Sequence, residues 1–156
     1  MRKVLVVGSC SVLLIVGTLG AIAFASPPRV AGPEDFTLIS VHAHFKQSDI
    51  GRSGVSAGDV LTFDADVMDA DQTELLGRQD GQCIFTRVVD GEDRFEVCVL
   101  SFLLEDGALT VEGTFDQRED VNTFAVTGGT GVYTGARGQV MADFSQGFEF
   151  AFDLLP

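Results

Sequence analysis

The chain has 156 residues, 46% of them hydrophobic, which is the size and composition of one globular domain. Its formal charge is −13, with 10 basic residues against 23 acidic ones, and two of the basic ones are Arg2 and Lys3 at the extreme N-terminus. That balance argues against nucleic acid and against anionic membrane surfaces as partners, and reads as a solvated acidic surface.

The first element is a leader. Arg2 and Lys3 precede an apolar run from Val4 to Ala25, and Ala23-Phe24-Ala25 followed by Ser26 is an A-x-A cleavage pattern. This reads as a secretory signal over residues 1–25. The run is also long enough to span a bilayer, so export with cleavage and retention as a membrane anchor both stay open. Ser26 to Glu34, with Pro27, Pro28 and Pro33, reads as an extended linker, and residues 35–156 as a single domain.

Strands fill that domain. Phe36 to Phe45 and Val60 to Val67 alternate as half-buried strands do. Gln82 to Val89 and Arg94 to Leu104 form a hairpin about Asp90-Gly91, a favoured pair for a two-residue turn. Ala108 to Phe115 follows a second Asp-Gly turn at Asp106-Gly107. Thr123 to Val126 and Gln139 to Phe144 flank a glycine-rich run, and Phe148 to Leu154 closes the chain with Phe148, Phe150, Phe152 and Leu154 on one face. No window supports a long amphipathic helix. The fold class is all-β, and the count is that of an eight-stranded antiparallel up-and-down barrel, which encloses packed side chains or one small ligand.

Once the leader carries Cys10 away, Cys83 and Cys98 are an even pair. Counting outward from a turn at Asp90-Gly91 sets Val89 opposite Glu92, Arg87 opposite Arg94, and Cys83 opposite Cys98. That coincidence suggests a cross-strand disulfide formed in an oxidising compartment, at a hydrogen-bonded position of the ladder.

Few residues advertise chemistry. His42 and His44 are the only histidines, two apart on the first strand and therefore on one face. A His-x-His metal site wants a third histidine and a carboxylate, so no metal and no cofactor are expected. Asp64 and Asp66 alternate out of phase with Phe63, Ala65 and Val67, so both should face outward. There is no G-x-S-x-G elbow. The Gly128-Gly129-Thr130-Gly131 run lacks the Lys-Ser/Thr pair and the following helix of a phosphate loop.

The stretch from Thr123 to Val140, TFAVTGGTGVYTGARGQV, resembles a segment of the allene oxide cyclases and the related dirigent-like proteins. Gly58-Asp59 with Phe63, Gly81 with Cys83, Asp93-Arg94-Phe95-Glu96, Ser101-Phe102, and Gly107, Val111 and Gly113 match further landmarks of that group, in order, over Phe36 to Leu154. The resemblance implies a barrel with a greasy cavity that folds a flexible substrate into one reactive conformer, lined here by Phe63, Cys83, Phe148, Phe150 and Phe152. It also implies that the G-x-C cysteine stands in the cavity, as a free thiol in the plant enzymes. The plant enzymes carry a catalytic glutamate on the first strand and two asparagines that hold a water. Aligned on Leu38, those positions fall at His42, His44 and Ala65. His42 then becomes the candidate catalytic base, with His44 and Ala65 as substrate contacts, and the departure puts allene oxide cyclisation itself in doubt.

Three functions follow from the resemblance. The first is a stereocontrolling cyclase or isomerase of a lipophilic small molecule, the second a non-catalytic carrier of a hydrophobic ligand, the third a barrel kept for a structural role. It also implies a homo-oligomer, a trimer, consistent with apolar residues on both faces of Val97 to Leu104.

Overall fold

The computed structural model describes residues 35–89 and 93–156. The expected signal, the linker and the Asp90-Gly91 turn lie outside them. The described chain forms eight strands: β1 (Asp35–Ser48), β2 (Val60–Asp69), β3 (Leu75–Val89), β4 (Asp93–Leu104), β5 (Gly107–Asp116), β6 (Val121–Gly129), β7 (Gly138–Asp143) and β8 (Phe148–Leu154). Each pairs antiparallel with the next, and β8 returns to β1 from Asp35 opposite Asp153 to Ser40 opposite Phe148, which closes the barrel. Closure leaves no unpaired edge.

Period-two patterning explains most strands. In β6, Asn122, Phe124 and Val126 are buried while Val121, Thr123 and Ala125 face solvent. β3 is the exception to the sequence reading, because it begins at Leu75 rather than Gln82. Its first half, LLGRQDG, carries two glycines, Arg78, Gln79 and Asp80, so its alternation shows little hydrophobic contrast. The glycines are there for space. Gly81 lies opposite Phe63, and a Cβ at Gly81 would fall on the Phe63 ring. The ring covers the backbone of the neighbouring strand, which couples two of the sequence landmarks sterically.

One end of the barrel is filled. Val67, Phe102, Leu109, Val111 and Val140 are fully buried, and Phe102 meets Phe150 and Phe152 edge-on at 5.1 and 5.2 Å. Phe36 stacks on Phe152 at 4.8 Å, and Tyr133 lies 6.2 Å from Phe36. Tyr133 belongs to a single 3₁₀ turn, Gly131–Tyr133, built from the glycine-rich run. Thr130 N–H donates to the Ala108 carbonyl at 2.8 Å and Val132 N–H to the Asp106 carbonyl at 3.0 Å, which ties the β6–β7 connection to the β4–β5 turn. Gly131 takes φ +60° against the Asp106 carbonyl, where a side chain would be strained and would collide. The glycine run therefore closes the floor of the barrel.

The opposite end is braced by Asp59, which is completely buried. Its carboxylate accepts from Ile50 N–H at 2.9 Å and Ser56 N–H at 3.0 Å, and these donors hold it below the usual carboxylate range. It pins the long β1–β2 connection.

Cys83 and Cys98 face each other and are joined, with an S–S distance of 2.02 Å and Cα atoms 4.0 Å apart. Two details of the expected register are corrected. Val89 lies opposite Asp93 and Arg87 opposite Phe95, one residue out of step with a two-residue turn. A bulge at Thr86 restores the step, so that Phe85 faces Glu96 and Cys83 faces Cys98. The narrow Cα separation is that of a non-hydrogen-bonded pair, not the hydrogen-bonded one that counting from the turn implies.

Candidate functional site

Between the packed floor and the braced end lies a cavity of about 510 Å³. It reaches the rim at Gln117, Glu119 and Asp120 of the β5–β6 connection. Its wall is largely aromatic. Phe45 contacts Phe63 at 5.7 Å and Phe148 at 5.8 Å, and Phe144 contacts Phe115 at 5.2 Å and Phe148 at 5.8 Å. The volume falls inside the range of about 300–1,000 Å³ usual for small-molecule sites.

Phe63, Cys83, Phe148 and Phe150 line this cavity, the three phenylalanines from the inner faces of β2 and β8. Phe152 is buried in the packed end beneath it, and Ala65 is buried without lining it. The histidines lie elsewhere. His42 and His44 have side chains 78% and 77% exposed on the outer surface. His42 Nδ1 is 3.1 Å from Asp66 and His44 Nδ1 is 3.2 Å from Asp64, both acids facing outward as their phase requires.

The cause is a β-bulge. The register of β1 against β2 slips between Val41 and His44, and His42 takes φ +52°. Leu38 and Ser40 point inward before the slip; Ala43 and Phe45 line the cavity after it. One extra residue reverses the face of everything that follows. The expectation that His42 acts as base on a substrate in the cavity, with His44 contacting it, is corrected by this placement on the outer surface.

Inside the rim, the polar groups that reach the cavity are Ser40 of β1, Gln79 of β3, and Arg94 and Glu96 of β4. Glu96 is 1% exposed, and neither of its carboxylate oxygens has a hydrogen-bond partner. Burial pushes its carboxyl above the ordinary glutamate range; Arg94, whose Nε lies 3.4 Å from Oε1, opposes that shift only in part. Arg94 is engaged elsewhere, since its Nε donates to Gln117 Oε1 at 2.9 Å and its guanidinium sits 4.7 Å from the Phe85 ring centroid. Glu96 also lies within 4.8 Å of both disulfide sulfurs, and as those are bonded to each other they are not available as metal ligands. Deeper in, Gln79 is 2% exposed; its Oε1 accepts from Ser40 Oγ at 2.8 Å and its Nε2 has no partner.

Alternation back from Cys98 and Leu100 was enough to turn Glu96 inward, yet Glu96 drew notice only as one letter of a family landmark. Gln79 had no such signal, because the half-strand that carries it was not recognised as a strand.

A family profile described as an allene oxide cyclase barrel like domain matches residues 39–145. The chain belongs to this family. Among solved structures, this family member is similar to a pyocyanin demethylase, with 23% identity, 78% of this chain and 99% of that one covered, and a TM-score of 0.69. It is similar to the pterocarpan synthase dirigent protein, with 18% identity, 86% and 96% covered, and a TM-score of 0.58. It is also similar to an exo-specific intermolecular Diels–Alderase, with 17% identity, 76% and 90% covered, and a TM-score of 0.56. At these identities the likeness is one of fold. This allene oxide cyclase-like barrel presents the buried carboxyl of Glu96 to its cavity from β4, whereas the polar set implied by the resemblance falls at His42 and His44 on β1 and at Ala65 on β2.

Proposed function

We propose that this chain is an exported barrel that takes one lipophilic small molecule into its open half and directs an intramolecular cyclisation or isomerisation there, with Glu96 as proton donor and acceptor. The observation that carries the reading is a carboxyl 1% exposed, with neither oxygen bonded, in the wall of an aromatic cavity of about 510 Å³. Close aromatic walls restrict a flexible substrate to few conformers, which lowers the entropic cost of ring closure. Water is kept from a reactive intermediate. Burial favours the protonated form of this carboxyl, and in that form it donates a hydrogen bond to an oxygen on which charge develops and can take a proton back later. The activities named for barrels of similar fold differ from one another, which supports a scaffold whose lining sets the chemistry.

A second reading is a non-catalytic carrier. The outward placement of His42 and His44 favours it, since the β1 positions aligned with a catalytic set lie outside the barrel. Native mass spectrometry of the protein purified from its own host tests both readings, with a co-purifying neutral lipophile as the expected result. Turnover of that compound, lost in Glu96→Gln with binding retained, establishes the enzyme. Binding without turnover establishes the carrier. A barrel that arrives empty and refuses lipophiles refutes both.

A further inference from the structure

Among the described residues, the buried side-chain nitrogen and oxygen atoms without a hydrogen-bond partner are Gln79 Nε2 and the two carboxylate oxygens of Glu96, whose Oε1 has only the 3.4 Å ion-pair contact with Arg94. All three belong to residues that line one cavity. Buried polar atoms are ordinarily satisfied, so two orphaned groups facing the same space call for a partner that enters it.

Their spacing says what kind. Gln79 lies opposite Phe102 and Glu96 opposite Phe85, so six residue steps of the β3–β4 ladder separate them. At the usual rise that is about 20 Å along the strands, and on the order of 15 Å along the axis at the usual barrel tilt. The wall between them is apolar, formed by the Cys83–Cys98 disulfide, Leu100 and the Phe63 ring over Gly81. The charges around them speak for a neutral occupant. An anion would pass Glu119 and Asp120 at the rim and meet the Glu96 carboxyl. A cation at Glu96 would lie beside the Arg94 guanidinium. Gln79 has already committed its carbonyl to Ser40, so what it offers is a donor.

We propose that the cavity recognises a neutral, elongated lipophile bearing an oxygen acceptor, a carbonyl or an ether, at each end, the inner one accepting from Gln79 Nε2 and the outer one from the O–H of the Glu96 carboxylic acid. This rests on the reading of the barrel as a small-molecule site, and it adds the substrate class. Ser40 is then a positioning residue that keeps the donor side of the Gln79 amide turned to the ligand.

The test is displacement of the neutral dye Nile red from the full chain by four probes of equal length: decane, a decanone, a decanedione with its carbonyls near the two ends, and decanoate. The expected order is decanedione, decanone, decane, with decanoate weakest. Each satisfied station should contribute roughly tenfold or a little less. Gln79→Leu should remove the advantage of the dione over the monoketone while decane still binds, which also reports that the variant is folded. Gln79→Met serves if the leucine variant does not fold. Decane binding as tightly as the dione overturns this inference and leaves the barrel reading standing. Decanoate binding tightest overturns it in favour of an anion site. Failure of Nile red and all four probes to enter overturns the small-molecule reading and this inference with it.

Discussion

Replacing Glu96 by Gln keeps the shape of the side chain and removes its ionisation. In the folded barrel the carboxyl is 1% exposed, has no hydrogen-bond partner, and is pushed above its ordinary value of 4.5 by burial, with only partial help from Arg94. The native state therefore binds this proton more tightly than the unfolded chain does. Stability from this group is fully present below the ordinary glutamate value and is lost as pH rises through the folded one. Above that folded value the wild type carries a buried, poorly compensated carboxylate, a cost of about 1–3 kcal/mol. Between pH 4 and pH 8 Glu96→Gln should go from almost no effect to a growing stabilisation, reaching about that amount once the wild-type carboxyl has ionised, a difference of roughly 4–10 °C in Tm. Thermal melts of both proteins across that range measure it. Asp116, lowered to about 2 by hydrogen bonds from Arg118, and Asp59 and Asp69, lowered mainly by backbone donors, lose their stabilisation as pH falls and bend both curves alike. The difference between the proteins cancels them. A difference that does not vary with pH, or a wild type that gains on the variant as pH rises, would refute the reasoning and show that the 3.4 Å contact with Arg94 outweighs burial.

The remaining expectations are simpler. Replacing Cys83 and Cys98 together by Ser opens a 15-residue loop and should cost about 3 kcal/mol in urea unfolding, and thiol titration of the wild type should find these two groups only after reduction. His42→Ala should leave ligand affinity unchanged, since the imidazole faces solvent beside Asp66, and a tenfold loss in the same binding assay would return His42 to the site. The protein should sediment as a trimer at micromolar concentration. Leu103 and Val97, exposed on the outer face of β4, are the positions where Leu103→Glu or Val97→Glu should yield monomer, and a wild type that is already monomeric removes the proposal.

Local signals carried a large share of the architecture. Alternating aromatics placed Phe148 and Phe150 on the inner face of β8, because a strand sorts successive residues to opposite sides whatever surrounds it. The pairing of Cys83 with Cys98 was legible although the turn was counted wrongly, because the bulge at Thr86 offset the error. What counting cannot supply is an interruption of the count. The bulge at His42 is stable only where the paired strand and the curvature of a closed barrel accommodate the extra residue, and it decides which way His42 and His44 face. β3 begins seven residues before Gln82 because its first half, weak in hydrophobic contrast, is paired with β2 and β4, and Gly81 there makes room for Phe63 of β2. Alternation turns Glu96 inward but says nothing of what it meets there, and Gln79 looks like a surface residue in one dimension. Only the closed barrel, filled at one end by Phe102 and Phe152 and hollow at the other, turns them into buried groups that want a ligand, because the cost of an unpartnered polar atom depends on the wall opposite it.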